Sequence, residues 1–201
     1  MTPIYKKGNR GKAANYRPVS LTSQICKVIE SIIRDAIVQH LEHNNLIYNS
    51  QHGFRSGRSC LSNLLTFLDK LTECWDRGEN VDVIYTDFAK AFDKVPHQRL
   101  LTKLKSHGIG GKVLNWISSW LGNRAQRVCM NGFSSLWRAV VSGVPQGSVL
   151  GPILFLIFIN DIDIGLVNWI LKFADDIKIF GKVDSMEEAV SLQSDVDKLC
   201  N

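Results

Sequence analysis

"FADDIKIF" (residues 173–180) sets two aspartates side by side between two short apolar runs. Asp tolerates turn geometry, so taken alone the pair reads most simply as a solvated hairpin tip. The alternative is that both acids face something positive, because crowded carboxylates need counter-charge to stay ionised. The flanking runs fix the local structure. "WILKFA" (169–174) and "IKIFGKV" (177–183) are rich in aromatic and β-branched residues, which predicts a hairpin with the aspartates at its tip.

A second strand carries an acid at its end. In "VDVIYTDF" (81–88) the apolar alternation stops at Asp87. If this strand neighbours the 169–180 hairpin, Asp87 meets Asp175 and Asp176 at one sheet edge. Hard divalent cations suit such a cluster, because Mg²⁺ binds through one or two carboxylates together with substrate phosphates. Two such ions about 4 Å apart activate an attacking hydroxyl and stabilise a leaving pyrophosphate.

Working outward, "ICKVIESIIRDAIVQHLEHN" (25–44) has helical apolar spacing, with Ile25, Val28, Ile29, Ile32, Ile33, Ala36, Ile37 and Leu41 on one face. The residues before it read as an extended segment and loop. "QHGFRSGRS" (51–59) reads as a loop into a second amphipathic helix carrying Leu61, Leu64, Leu65, Leu68, Leu71 and Trp75. Further helices are expected around "HQRLLTKLKSHG" (97–108) and "VLNWISSWLGN" (113–123). "AQRVCM" and "SLWRAVVSG", joined by "NGFS", predict a second hairpin. "GVPQGSVLGP" (143–152) is a Gly/Pro loop opening an apolar helix over 152–161, and Ser185 with Glu188 makes a capping box for a last helix. The order is that of an α+β protein.

Composition narrows the class. The 201 residues suit one domain or two packed subdomains, and the 45% hydrophobic and 21% charged content is ordinary for a globular chain. A net charge of +5 tilts towards an acidic partner such as nucleic acid. The five cysteines are scattered and lack CxxC spacing, which predicts reduced thiols in a reducing compartment rather than a zinc site. "VLGPILFLIFI" (149–159) is too short for a membrane span and is interrupted by Gly-Pro.

"RPVSLTS" (17–23), "QHGFR" (51–55), "YTDFAKAFDKV" (85–95), "SGVPQGSVLGPILFLIFINDI" (142–162) and "FADD" (173–176) occur in the order and approximate spacing of reverse transcriptases. Over essentially the whole chain the sequence resembles the jockey-type, LINE-like enzymes of non-LTR retrotransposons. The resemblance implies the fingers and palm of a right-hand polymerase, a reverse transcriptase domain over 1–201, with fingers at about 1–80 and 97–143 and palm at about 81–96 and 144–201. It implies an RNA-directed DNA polymerase that adds dNTPs to a DNA primer on an RNA template with Mg²⁺, or Mn²⁺, and that works inside the cell, in the nucleus, without a membrane.

Residue by residue, Asp87 matches the first catalytic aspartate, and Asp175 and Asp176 match the pair. The Phe88 carbonyl matches a backbone metal ligand alongside those three carboxylates. Phe92 matches the aromatic gate that leaves no room for a 2′-hydroxyl. Gln146 matches the glutamine lining the nucleotide's sugar, and Gly147 beside it lets the backbone approach closely. Arg17 falls where a triphosphate-binding cation is expected, and its donor fork suits phosphate. Arg55 and Arg58 read as loop-stabilising or template contacts, Asp93 as a structural partner or a nucleotide contact, and His52, His97 and His107 as solvent-facing or capping residues.

Family members continue with a lysine-bearing strand and a thumb. The chain is therefore expected to be a fragment, a truncated copy or an excised core, with thumb, endonuclease and the rest of the polyprotein missing from it. Leu192, Val196 and Leu199 are then expected to be left partly exposed. Two rivals remain. An RNA-directed RNA polymerase places an aspartate five residues after the first, where this chain has Phe92. A catalytically silent retroelement remnant would fold and bind RNA.

Overall fold

The computed structural model describes residues 1–200. By its internal contacts the chain divides into two units, Met1–Leu46 with Lys90–Phe158, and Ile47–Ala89 with Ile159–Asn201.

The first unit opens on a small hairpin, β1 (Thr2–Tyr5) and β2 (Tyr16–Val19), paired antiparallel with Ile4 opposite Arg17. Sequence reading expects only an extended segment there, because four-residue strands are too short to show an alternation. Helix α1 (Gln24–His43) starts where Ser23 accepts a hydrogen bond from Cys26 N at 3.2 Å. Helices α3 (His97–Ser106) and α4 (Gly111–Leu121) bury Leu100, Leu104, Leu114, Ile117 and Leu121. Helix α5 (Gly151–Ile159) is apolar on all sides, and most of its residues are buried, as such a helix must be. Its N-terminus is closed by the fully buried Glu30 of α1, whose Oε2 accepts from Val149 N at 2.7 Å and Leu150 N at 3.2 Å.

Between α4 and α5 the expected hairpin forms in two pieces. Ala125–Gln126 (β4) pairs with Arg138–Ala139 (β7), and Cys129–Met130 (β5) with Phe133–Ser134 (β6). Arg127 and Val128 lie opposite Ser135, Leu136 and Trp137, so one extra residue shifts the register, which is a bulge. The turn is Asn131-Gly132, both at positive φ, rather than the whole of "NGFS".

The second unit is built on a three-stranded antiparallel sheet in the order β3 (Val81–Asp87), β9 (Asp176–Lys182), β8 (Trp169–Phe173). Helix α2 (Cys60–Asp76) begins with a reciprocal Ser59–Ser62 cap and packs Phe67 on Leu171 and Phe180. The Phe67 and Phe180 rings meet edge to face, with centroids 4.9 Å apart. Along β9 the odd positions Ile177 and Ile179 are buried on the opposite face. Helix α6 (Met186–Cys200) starts from the expected box, with Ser185 accepting from Glu188 N and Glu188 accepting from Ser185 N.

The expectation of partly exposed apolar residues on α6 is corrected for Leu192, which is only 3% exposed because α6 lies against β9, while Val196 and Leu199 are half-buried. Exposed apolar residues lie instead on the first half of α1, where Ile25 is 76% exposed, and on Leu61, Leu64, Leu65 and Leu68 of α2.

Candidate active site

The register of the second unit's sheet assembles the acids. Asp87 closes β3 and stands directly opposite Asp176, the first residue of β9, which is in turn opposite Phe173. Asp175 occupies the two-residue turn with Ala174, whose φ is +57°. The register therefore makes Asp87 and Asp176 cross-strand neighbours and leaves Asp175 in the adjoining turn. Asp87 and Asp176 are exposed, and among the described residues neither carries an ion pair. They open onto a cleft of about 360 Å³ that is also lined by Asn63, Tyr85, Thr86, Phe173 and Lys178.

Is this a place for a divalent cation? Among the described residues no three acidic, histidine or cysteine side chains converge to a formed metal site. The donor set fits nevertheless. It consists of hard carboxylate oxygens, two of them unpaired side chains facing each other across a ladder, beside an open cleft that admits phosphates. Phe88, whose carbonyl was assigned to the same set, follows β3 directly and is half-buried.

Lys178 was not singled out by the sequence, although period-two alternation along β9 puts residue 178 on the face of Asp176. Its Nζ donates to Asn63 Oδ1 at 3.2 Å and lies over the Phe67 ring at 4.3 Å. Burial pushes its pKa below the ordinary lysine value. The "QHGFR" segment, read from the sequence as a loop, borders the sheet. Ser50 to His52 lie along the free edge of β8, with Lys172 N donating to Ser50 O at 2.8 Å and His52 N to Lys172 O at 2.9 Å. Lys172 itself is fully buried and paired with Asp163; burial lowers its pKa while the carboxylate opposes that shift.

His52 corrects the solvent-facing expectation. It is buried, with Nδ1 at 2.8 Å from Ser62 Oγ and Nε2 at 3.2 Å from an Arg58 nitrogen. Burial first, then Arg58, Arg55 and Lys178, lower its pKa below that of a free histidine. Arg58 also donates to Asn49 O at 2.9 Å, and Arg55 to Tyr48 O at 3.1 Å, so both tie down the loop.

The remaining candidates belong to the first unit. Phe92 is half-buried and its ring stacks on Phe155, with centroids 4.4 Å apart and planes at 14°. Its carbonyl accepts from Val144 N at 2.8 Å, so the Phe92 segment and the "VPQG" loop are held together. Gln146 Nε2 donates to Asp93 Oδ1 at 3.2 Å, which makes Asp93 a structural partner. Gly147 has φ +95°, and a Cβ there would stand 2.8 Å from Ser20 O. Ser20 N also donates to Gln146 O at 2.8 Å, so the loop rests on the chain just after β2. Arg17 is exposed on β2. His97 and His107 bond backbone carbonyls, of Gly143 at 2.9 Å and Lys103 at 2.7 Å.

Comparison with known proteins places the whole chain in a family. A family model described as "Reverse transcriptase (RNA-dependent DNA polymerase)" matches residues 4–200. The probable RNA-directed DNA polymerase from transposon X-element of Drosophila melanogaster is 32% identical over 180 residues, covering 87% of this chain and 20% of that protein. The RNA-directed DNA polymerase from mobile element jockey of Drosophila funebris is 32% identical over 192 residues, covering 91% and 21%. The chain therefore spans about a fifth of the length of these relatives. Among solved structures, telomerase from Candida albicans, in complex with the TWJ fragment of telomeric RNA, superposes with a TM-score of 0.63 at 12% identity. That match covers 86% of this chain and 32% of the other, and it shows a shared fold. The chain belongs to the reverse transcriptase family.

Proposed function

We propose that the chain carries the nucleotidyl-transfer site of an RNA-directed DNA polymerase of the non-LTR retrotransposon kind, joining dNTPs to a DNA primer on an RNA template. The observation that carries this reading is the strand register that sets Asp87 opposite Asp176, next to Asp175 in the turn. In this reading the primer 3′ oxygen attacks the α-phosphorus, the bond to pyrophosphate breaks, and the hydroxyl proton is released.

The carboxylates of Asp87, Asp175 and Asp176, with the Phe88 carbonyl, would hold Mg²⁺ or Mn²⁺. Such an ion lowers the pKa of an attacking hydroxyl and offsets charge on a departing pyrophosphate. Lys178 would add a basic nitrogen within the cleft that Asp87 and Asp176 line. Phe92, held by Phe155, is suited to exclude a 2′-hydroxyl because a stacked ring cannot swing aside without losing its contact. Gln146 is steadied by Asp93 for its role beside the sugar, and Arg17 offers an exposed guanidinium for phosphate. Fingers at about 1–80 and 97–143 and palm at about 81–96 and 144–201 remain the assignment.

Charge supports nucleic acid as the partner. The unit of Met1–Leu46 and Lys90–Phe158 holds 16 basic and 4 acidic side chains, a net +12. The unit bearing the carboxylates holds 8 and 15, a net −7. A polyanion is attracted to the first, and cations to the second.

Primer extension on an RNA template, with separate dNTP and NTP pools, tests the reading. Extension is expected with dNTPs only. Asp175→Asn is expected to remove it while leaving the circular-dichroism spectrum unchanged. Extension that survives Asp175→Asn would overturn the assignment.

A further inference from the structure

The turn that carries Asp175 is held from below by one buried side chain. Gln51 is 1% exposed, and its Oε1 accepts two backbone hydrogen bonds: from Ala174 N at 2.9 Å and from Gly53 N at 2.8 Å. Ala174 is the residue at φ +57° between Phe173 and Asp175, so this bond is made by the turn itself. No other hydrogen bond from the Ala174 amide would be possible at full strength, because each N–H is a single donor.

Gly53 completes the seat. A Cβ at residue 53 would lie 2.5 Å from Ala174 N, 3.1 Å from Phe173 C and 3.1 Å from Gln51 Oε1. The neighbouring atoms are mostly backbone, so they cannot rotate away, and only glycine lets the two segments approach this closely. The segment reaches the turn because Ser50 and His52 bond Lys172 on the edge of β8, two residues before the tip.

The donor end of Gln51 shows which part of the side chain matters. Its Nε2 is buried without a hydrogen-bond partner among the described residues, an arrangement that costs stability. An apolar residue of the same length would avoid that cost. What glutamine supplies in exchange is the oxygen shared by the two amides.

We propose that Gln51 and Gly53 are positioning residues for the reaction, fixing the turn from which Asp175 and Asp176 project. The inference rests on the polymerase reading for its consequence, and on the hydrogen bonds alone for its mechanism. A carboxylate displaced by even about 1 Å costs on the order of a hundredfold in rate, because the reacting groups lose their alignment.

The test compares the wild-type chain with Gln51→Met, which keeps length and loses the acceptor, and Gln51→Glu, which keeps an acceptor oxygen. Two quantities are read: amide hydrogen exchange at Ala174, and kcat and KM for dNTP in primer extension. In Gln51→Met, exchange at Ala174 is expected to rise at least tenfold over the rest of the hairpin. Its kcat is expected to fall about tenfold or more with KM for dNTP unchanged. Gln51→Glu is expected to restore both. Gly53→Ala, which adds a Cβ against Ala174 N while leaving the glutamine side chain in the sequence, is expected to lower kcat with the circular-dichroism spectrum retained, and serves if Gln51→Met does not fold.

Wild-type exchange at Ala174 in Gln51→Met, or equal kcat losses in the Met and Glu variants, would overturn the proposal. A wild-type chain that extends no primer would count against the polymerase reading instead. The exchange measurement would then still decide whether Gln51 holds the turn.

Discussion

Replacing Gly147 with alanine isolates a steric contact at the "VPQG" loop. An L-residue in the left-handed region costs roughly 1–2 kcal/mol, and φ +95° lies beyond the small well that L-residues tolerate. The new Cβ would also stand 2.8 Å from Ser20 O and 3.1 Å from Val19 Cγ1. Relieving that contact means moving residues 146–147 off the chain after β2, which breaks the Ser20 N to Gln146 O bond, worth about 1 kcal/mol. The expected loss is therefore about 2–3 kcal/mol, or a shift of about 30- to 150-fold in the unfolding equilibrium. Gly165 is the control, because it has φ +79° but nothing within 4 Å of its would-be Cβ. Gly165→Ala should lose only the conformational part, about 1–2 kcal/mol. Urea unfolding of both variants, followed by circular dichroism, reads the difference, and KM for dNTP should rise in Gly147→Ala alone. A Gly147→Ala variant as stable as Gly165→Ala would show that the loop yields freely and that the contact with Ser20 imposes nothing.

Phe92→Val should raise the ratio of rNTP to dNTP incorporation by about ten- to a hundredfold, the scale on which pocket size discriminates substrates; competitive incorporation on an RNA template measures it, and an unchanged ratio removes Phe92 from the site. Phe67→Ala should cost about 3–5 kcal/mol in urea unfolding, because it empties the centre of the cluster with Leu171 and Phe180. His52 should make stability fall with acid. Its folded pKa lies below its unfolded value near 6.5, so the unfolded chain takes up the proton first. Stability is therefore fully present above about pH 6.5 and declines as pH falls from there towards the folded value. His52→Gln should flatten that part of the stability–pH curve, and identical curves for both proteins would refute the assignment.

The sequence made the element order legible because each element satisfies its own local rule. Helical apolar spacing gave α1 to α4, and a Gly/Pro loop followed by an unbroken apolar run gave α5. β-branched and aromatic runs gave the sheet of the second unit, and the acids at their ends pointed to one edge. Local rules fail where a residue's surroundings come from elsewhere. Ile25, Val28, Ile29 and Ile32 have the spacing of a buried face, yet all four are exposed, because spacing defines a face without supplying a neighbour to cover it. Short strands are equally silent. The bulge at Ser135, Leu136 and Trp137 depends on a one-residue mismatch between two strands, which neither strand's own sequence contains.

The candidate site divides along the same line. The placement of Asp87, Asp175 and Asp176 could be read from sequence because each stands at or beside the end of a strand. Gln51 and Lys178 could not, because each acquires its role from a residue far away in the chain: Gln51 from Ala174, 123 positions on, and Lys178 from Asn63, 115 positions back. "QHGFR" looks locally like any polar loop with a glycine. Only when β8 brings residue 172 beside residue 51 does the glutamine oxygen find two amides to satisfy, and only then does a Cβ at residue 53 become impossible. A motif that binds substrate can be recognised by the chemistry of its side chains. A segment that touches another through its backbone and one acceptor atom is chosen for shape, so its side chains do not reveal those contacts until the fold is known.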